Sequence, residues 1–207
     1  MRFLPSILFL VFGLASSQSV SAISNADMEL MDALAFVFHG QEEGERNGTT
    51  TRKYYNGNSA RYETIYSSAD FASIKEERRK AKFSRQRVTL RIRETCVIAS
   101  TYSHVASKGD SRDQFEADSE SIDGTYYLNR ITRLEVANYR DVPQLRWVEL
   151  NVEGQDYYCD PKGCRSKLSG ILAGPGADGP DYDDEEVLQR RQKAVAIIRK
   201  YCPGRAG

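Results

Sequence analysis

Histidine and tryptophan are scarce in this chain, and no catalytic signature is present. His39 and His104 are the only two histidines, hence the only side chains whose ordinary pKa lies close to neutrality. Neither belongs to an H-E-x-x-H pair, and the G-x-S-x-G elbow, the phosphate-cradling glycine loop and the dinucleotide fingerprint are missing as well. These absences argue against the hydrolases and nucleotide enzymes that such motifs mark. Net charge is also lacking, because 29 basic residues balance 29 acidic ones, so no overall field draws in nucleic acid or a membrane surface. Beyond residue 22 no apolar run is long enough to span a bilayer. No cysteine precedes Cys96, which excludes a lipid-modified cysteine near the start.

What is present begins with residues 1–22, MRFLPSILFLVFGLASSQSVSA. Arg2 precedes an apolar run from Phe3 to Ala15, and Val20-Ser21-Ala22 offers a small-residue cleavage site before Ile23. The run covers about 13 residues, against the ~20 of a spanning helix. A cleavable export signal is therefore expected, leaving 185 residues with a formal charge of minus 1. That length suits one domain over residues 23–207, able to bury its own core and soluble after secretion or release into the periplasm.

An oxidising destination makes the four cysteines, Cys96, Cys159, Cys164 and Cys202, a bridging set. Cys159 and Cys164 flank Asp-Pro-Lys-Gly, a turn sequence that brings two strand ends together. This favours a local 159–164 bridge and leaves Cys96 to pair with Cys202. Zinc is disfavoured, since only one close pair exists and its four-residue spacing is wrong for a structural site. Neither metal nor cofactor is expected.

Residues 24–40 read as a helix: Ser24 to Asp27 supply capping groups, Met28, Met31, Leu34, Ala35 and Phe38 recur at helical spacing, and Gly40 stops the run. Ala35 to Phe38 could equally be a short buried strand. Gln41 to Thr51 is polar, contains Gly44 and Gly48, and reads as a mobile loop. Period-two segments follow. Lys53–Tyr55 and Ala60–Tyr66 flank an Asn56-Gly57 turn, and Val88, Leu90 and Ile92 alternate with Arg87, Thr89, Arg91 and Arg93. Cys96 and Ile98 extend that buried set, while His104 falls in a polar segment. Residues 68–82 are ambiguous. Further strands are expected at Tyr126–Tyr139 and Leu145–Val152, the latter turning at Glu153-Gly154 into Gln155–Cys159 and then Arg165–Leu168. A glycine-rich connector leads to a capping box at Asp183 and Glu186 and a final helix through Tyr201. Leu188, Val195, Ile198 and Cys202 share one stripe of that helix, so Cys202 and Cys96 both point inward.

The expected fold is α+β: a predominantly antiparallel, curved sheet with an N-terminal helix and an amphipathic C-terminal helix packed on it, pinned by disulfides. A curved sheet closed by a last helix resembles the pleckstrin-homology-like architecture. The resemblance is topological and carries no function.

Charge concentrates in Lys75–Arg93, where nine cations meet two acids. Arg78, Arg79, Lys80, Lys82, Arg85, Arg87, Arg91 and Arg93 form a candidate basic surface for an anionic envelope or extracellular partner, the plainer reading being a solvated strand face. Six acids between Asp178 and Glu186 lack the spacing of a calcium loop and suit a helix start. Asn47-Gly48-Thr49 matches a glycosylation tripeptide, and Trp147 sits opposite Val148 on its strand. The functional expectation is a non-enzymatic exported binding domain of unidentified partner, with nucleic acid not expected. The rival is a secreted hydrolase with dispersed carboxylates such as Glu94, Asp118, Glu120 and Glu135.

Overall fold

The computed structural model describes residues 23–46, 49–67, 83–106, 121–138, 148–172 and 184–204. Residues 1–22, residues 68–82 and Trp147 lie outside them.

Helix α1 (Asn25–His39) begins at Ser24, whose side chain accepts the Asp27 backbone N–H at 3.1 Å, and ends at Gly40, held at φ 66°. Only glycine takes that left-handed position without strain, and it lets the Gly40 N–H return to the Phe36 carbonyl at 3.1 Å. Ala35 to Phe38 are helical, not a strand. The helix buries Leu30, Met31, Leu34 and Val37 but also Ala33, Ala35 and Phe36, because it touches the sheet on one side and the second helix on another.

Among the described residues the sheet is antiparallel and nine-stranded: β1 (Gly44–Arg46), β2 (Thr49–Asn56), β3 (Ser59–Ser67), β4 (Phe83–Glu94), β5 (Val97–Ala106), β6 (Ser121–Tyr127), β7 (Ile131–Asn138), β8 (Val148–Asp160) and β9 (Gly163–Leu172). Strands β1 to β6 follow one another as a meander, and β9 lies along one edge of β8. Both β6 and β7 pair with β8, β6 through Tyr126↔Tyr158 and β7 through Val136↔Leu150. They are one strand broken by a 3-10 turn at Leu128–Arg130. Gly154 faces that break, where any Cβ would overlap the Arg130 carbonyl oxygen. Helix α2 (Asp184–Tyr201) packs on β7 and α1, with Arg190 and Arg191 5.6 and 5.2 Å from the Phe36 ring centroid.

A single core joins these parts. Ala60, Tyr62, Val88, Leu90 and Ile98 line the inner sheet face, joined by Leu134, Val136, Leu150 and Val152 and by Leu188, Val195 and Ile198 of α2. Each fully buried aliphatic chain contributes about 1.5 to 3 kcal/mol. Helix and sheet are also tied by one carboxylate. Asp32 accepts from Tyr55 Oη at 2.6 Å, Tyr62 Oη at 2.7 Å and Lys53 Nζ at 3.0 Å.

Several local expectations change. The polar stretch 41–51 holds β1 and the start of β2, paired through Gly44↔Thr51, and Gln41 is buried, donating to Gln86 at 2.8 Å and accepting from Thr64. Backbone pairing and a buried hydrogen-bond chain outweigh a loop-like composition. The first hairpin turns at Gly57-Asn58, since Asn56 pairs with Ser59. Glu153-Gly154 does not reverse the chain: β8 runs on through a bulge between Glu153 and Tyr158. His104 belongs to β5, and Cys96 occupies the β4–β5 turn at φ 63° rather than a strand position.

Both bridges pair as expected. Cys96–Cys202 spans 5.5 Å between Cα atoms and pins the β4–β5 turn to the end of α2; Cys159–Cys164 spans 4.0 Å across the β8–β9 hairpin. Their sequence separations are 106 and 5 residues, so the loop-entropy model assigns about 4 to 5 kcal/mol to the first and about 2 to the second. Denaturant unfolding of the Cys96→Ala/Cys202→Ala and Cys159→Ala/Cys164→Ala proteins should show losses in that order.

Candidate functional site

An aromatic concavity lies on the inner sheet face, beyond the C-terminal end of α1. Its volume is about 430 Å³, within the range of small-molecule sites. Tyr102, Tyr126, Tyr157 and Tyr158 wall it from the sheet, Phe38 and His39 from the helix, and the β8–β9 hairpin tip closes one side.

Two backbone features make this wall. Tyr157 and Tyr158 are consecutive and would face opposite sides of a regular strand, yet both line the cavity. The bulge between Glu153 and Tyr158 breaks the alternation, with Asp156 at φ 48°. Ser166 Oγ supports it, accepting from the Asp156 N–H at 3.0 Å and donating to its carboxylate at 3.1 Å. On the neighbouring strand Gly124 leaves room for Tyr158, because a Cβ there would overlap its hydroxyl. The Tyr126 ring then sits 4.7 Å from Tyr158 and 4.9 Å from Phe38, centroid to centroid.

His39 completes the wall. Its Nε2 lies 3.1 Å from Tyr126 Oη, and its ring is stacked over Tyr102 at 6.3 Å. It keeps a partly exposed edge, but burial lowers its pKa to about 4. Burial raises the phenols of Tyr126 and Tyr158, with nearby phenol or carboxylate charge adding to it, and raises Tyr157 to about 12. At neutral pH this wall carries no charge. Ile122 stands at its edge, 46% exposed.

A second concavity of about 450 Å³ between α1, α2 and β2 combines an apolar floor with charged side chains. Its charges answer one another: Lys53 meets Asp32 and, at 3.3 Å, Glu43, while Arg190 meets Glu42 and, at 3.5 Å, Glu186. Burial works against the Lys53 charge, and its two carboxylates still raise its pKa. A third, of about 320 Å³, lies beside Cys202 and Gly204.

Of the candidate basic surface, Arg78, Arg79, Lys80 and Lys82 lie outside the described residues. Arg85, Arg87 and Arg91 alternate along β4 with buried Ser84, Val88 and Leu90, so they face away from the aromatic cavity. Arg87 is bound to Glu63 at 3.0 Å, and Arg91 Nε donates to Ser59 Oγ at 3.2 Å; Arg93 is exposed at the strand end. Among the dispersed carboxylates, Asp118 and Glu120 lie outside the described residues. Glu94 is exposed on β4, Glu135 pairs with Arg133 at 2.8 Å on β7, and neither lines any of the three concavities. Asp178, Asp181, Asp183 and the Asn47-Gly48 pair are likewise undescribed. Among the described residues no cluster of three metal-ligating side chains occurs, and no helix is long and apolar enough to cross a membrane. No family model matches the chain, and neither a curated protein nor a solved structure is significantly similar to it.

Sequence reasoning missed the tyrosine wall. Its available signal was the aromatic pair on each of two adjacent strands, Tyr126-Tyr127 and Tyr157-Tyr158, with Gly124 two residues before the first.

The buried imidazole has a consequence for acid stability. Unfolded His39 binds its proton near pH 6.5, whereas the folded ring resists until about pH 4. Between these values acid favours the unfolded chain, so stability falls as pH drops, by up to about 3 kcal/mol. His39→Gln should flatten this limb, measured as the difference between urea unfolding free energies at pH 7 and pH 4.5.

Proposed function

We propose that the chain is an exported, non-enzymatic binding domain whose ligand is a small molecule with a flat aromatic or apolar body, held in the tyrosine-walled pocket. On this reading residues 1–22 are removed on export and residues 23–207 act as one domain. The observation that carries it is the cavity itself: about 430 Å³, walled by four tyrosines, Phe38 and a neutral histidine. Such walls stack flat rings and leave a few hydroxyls to orient them.

Two further points support the proposal. An effective general base has its pKa near the working pH, and His39, held at about 4, is a weak one. The two disulfides suit an oxidising compartment such as the periplasm or the extracellular space. The pleckstrin-homology-like architecture expected from the sequence adds nothing here, since a shared architecture transfers no function.

Indole serves as the probe. Saturation-transfer NMR and calorimetry on the mature protein should detect saturable binding, and Leu168→Trp, which fills the cavity, should weaken it about tenfold or more, the equivalent of 1.4 kcal/mol. Equal binding by both proteins would reject the pocket as the site.

A further inference from the structure

We propose that the ligand carries one negative charge, seated at the tip of the β8–β9 hairpin against Lys162 and Arg165. The inference rests on reading the aromatic cavity as a ligand site, and it names the chemistry of that ligand: a flat body bearing a single carboxylate or sulfonate.

The wall of the cavity is neutral, so charge selection must come from its lip. Three charged side chains line the cavity there, Asp160, Lys162 and Arg165. Asp160 is already used. Its carboxylate accepts the Lys162 backbone N–H at 2.8 Å and Arg165 Nη2 at 3.1 Å, and its side chain is only 3% exposed. It caps the turn and offsets one cation. Arg165 is 52% exposed and has its guanidinium 5.3 Å from the Tyr158 ring centroid, directly opposite Tyr158 in the β8–β9 register. Lys162 is exposed at the turn beside it. The lip therefore presents one positive charge in excess, next to the ring on which the ligand body stacks.

The lip is also held in place. Cys159–Cys164 closes the hairpin across its last ladder pairs, Pro161 fixes the turn backbone, and the Arg165–Asp160 contact holds the guanidinium plane over Tyr158. A planar guanidinium with donors on several edges can keep one carboxylate and receive another. Little ordering is left for binding to impose, which favours affinity.

Three probes of one ring system separate body from charge: indole, indole-3-acetate and the cation tryptamine. Calorimetry on the mature, disulfide-bonded protein should rank them acid, then indole, then amine, with the acid about tenfold tighter than indole at low salt. In Lys162→Gln and in Arg165→Gln the ratio of acid to indole affinity should fall toward one, and in wild type it should fall as salt is raised. If indole binds but the acid binds no tighter, or the amine binds tightest, the charge inference is overturned while the pocket stands. If none of the three binds saturably, both readings fall.

Discussion

One partly exposed carboxylate ties the first helix to the sheet on which the cavity is built. Asp32 gathers two phenols and an ammonium from β2 and β3 onto α1, and the linkage shows in the groups it binds. Burial and then Asp32 raise the Tyr55 phenol to about 12 and push Tyr62 higher still. Tyr62 is almost fully buried, so removing Asp32 would take the charged acceptor from its hydroxyl, a loss of about 1 to 3 kcal/mol. The apolar face of α1 presses the helix to the sheet, and the three bonds at Asp32 add a directional tie. Two turns further on the same helix carries Phe38 and His39 to the tyrosines. Gly40 then ends the helix.

On the sheet side the geometry depends on irregularity. A regular β8 would send Tyr157 and Tyr158 to opposite faces, and a side chain at Gly124 would displace Tyr158. The bulge at Asp156 and the bare backbone at Gly124 remove both obstacles. The disulfides hold the two ends of this arrangement, one at the turn that meets α2 and one at the hairpin tip. A cavity held on cross-linked elements in this way has little conformational freedom left to lose.

What the sequence reveals follows from what is local. Ser24 and Gly40 bound the first helix, period-two alternation marks β4, and the stripe of α2 puts Cys202 inward; the bridge to Cys96 forms as expected, although Cys96 reaches the core from the β4–β5 turn and not through the strand alternation. What it conceals depends on partners distant in the chain. Gln41 looks like loop composition because its companions, Thr64 and Gln86, lie 23 and 45 residues away. The bulge in β8 resembles a turn because Glu153-Gly154 has turn chemistry, whereas Gly154 is there to admit the Arg130 carbonyl. The tyrosine wall draws on four separate elements, and the basic stretch that dominates the charge pattern resolves, where described, into a strand face with Arg87 committed to Glu63.

Asp32 ties α1 to the sheet, and Phe38 and His39 at the end of that helix complete an uncharged wall on the cavity. An NMR titration of the His39 ring tests this arrangement most directly, in the wild-type protein and in Asp32→Ala. The wild-type ring should stay neutral until about pH 4, and its midpoint should climb toward the ordinary ~6.5 once the helix loses its anchor. A wild-type midpoint already near ~6.5, or one that does not move in the variant, would contradict it.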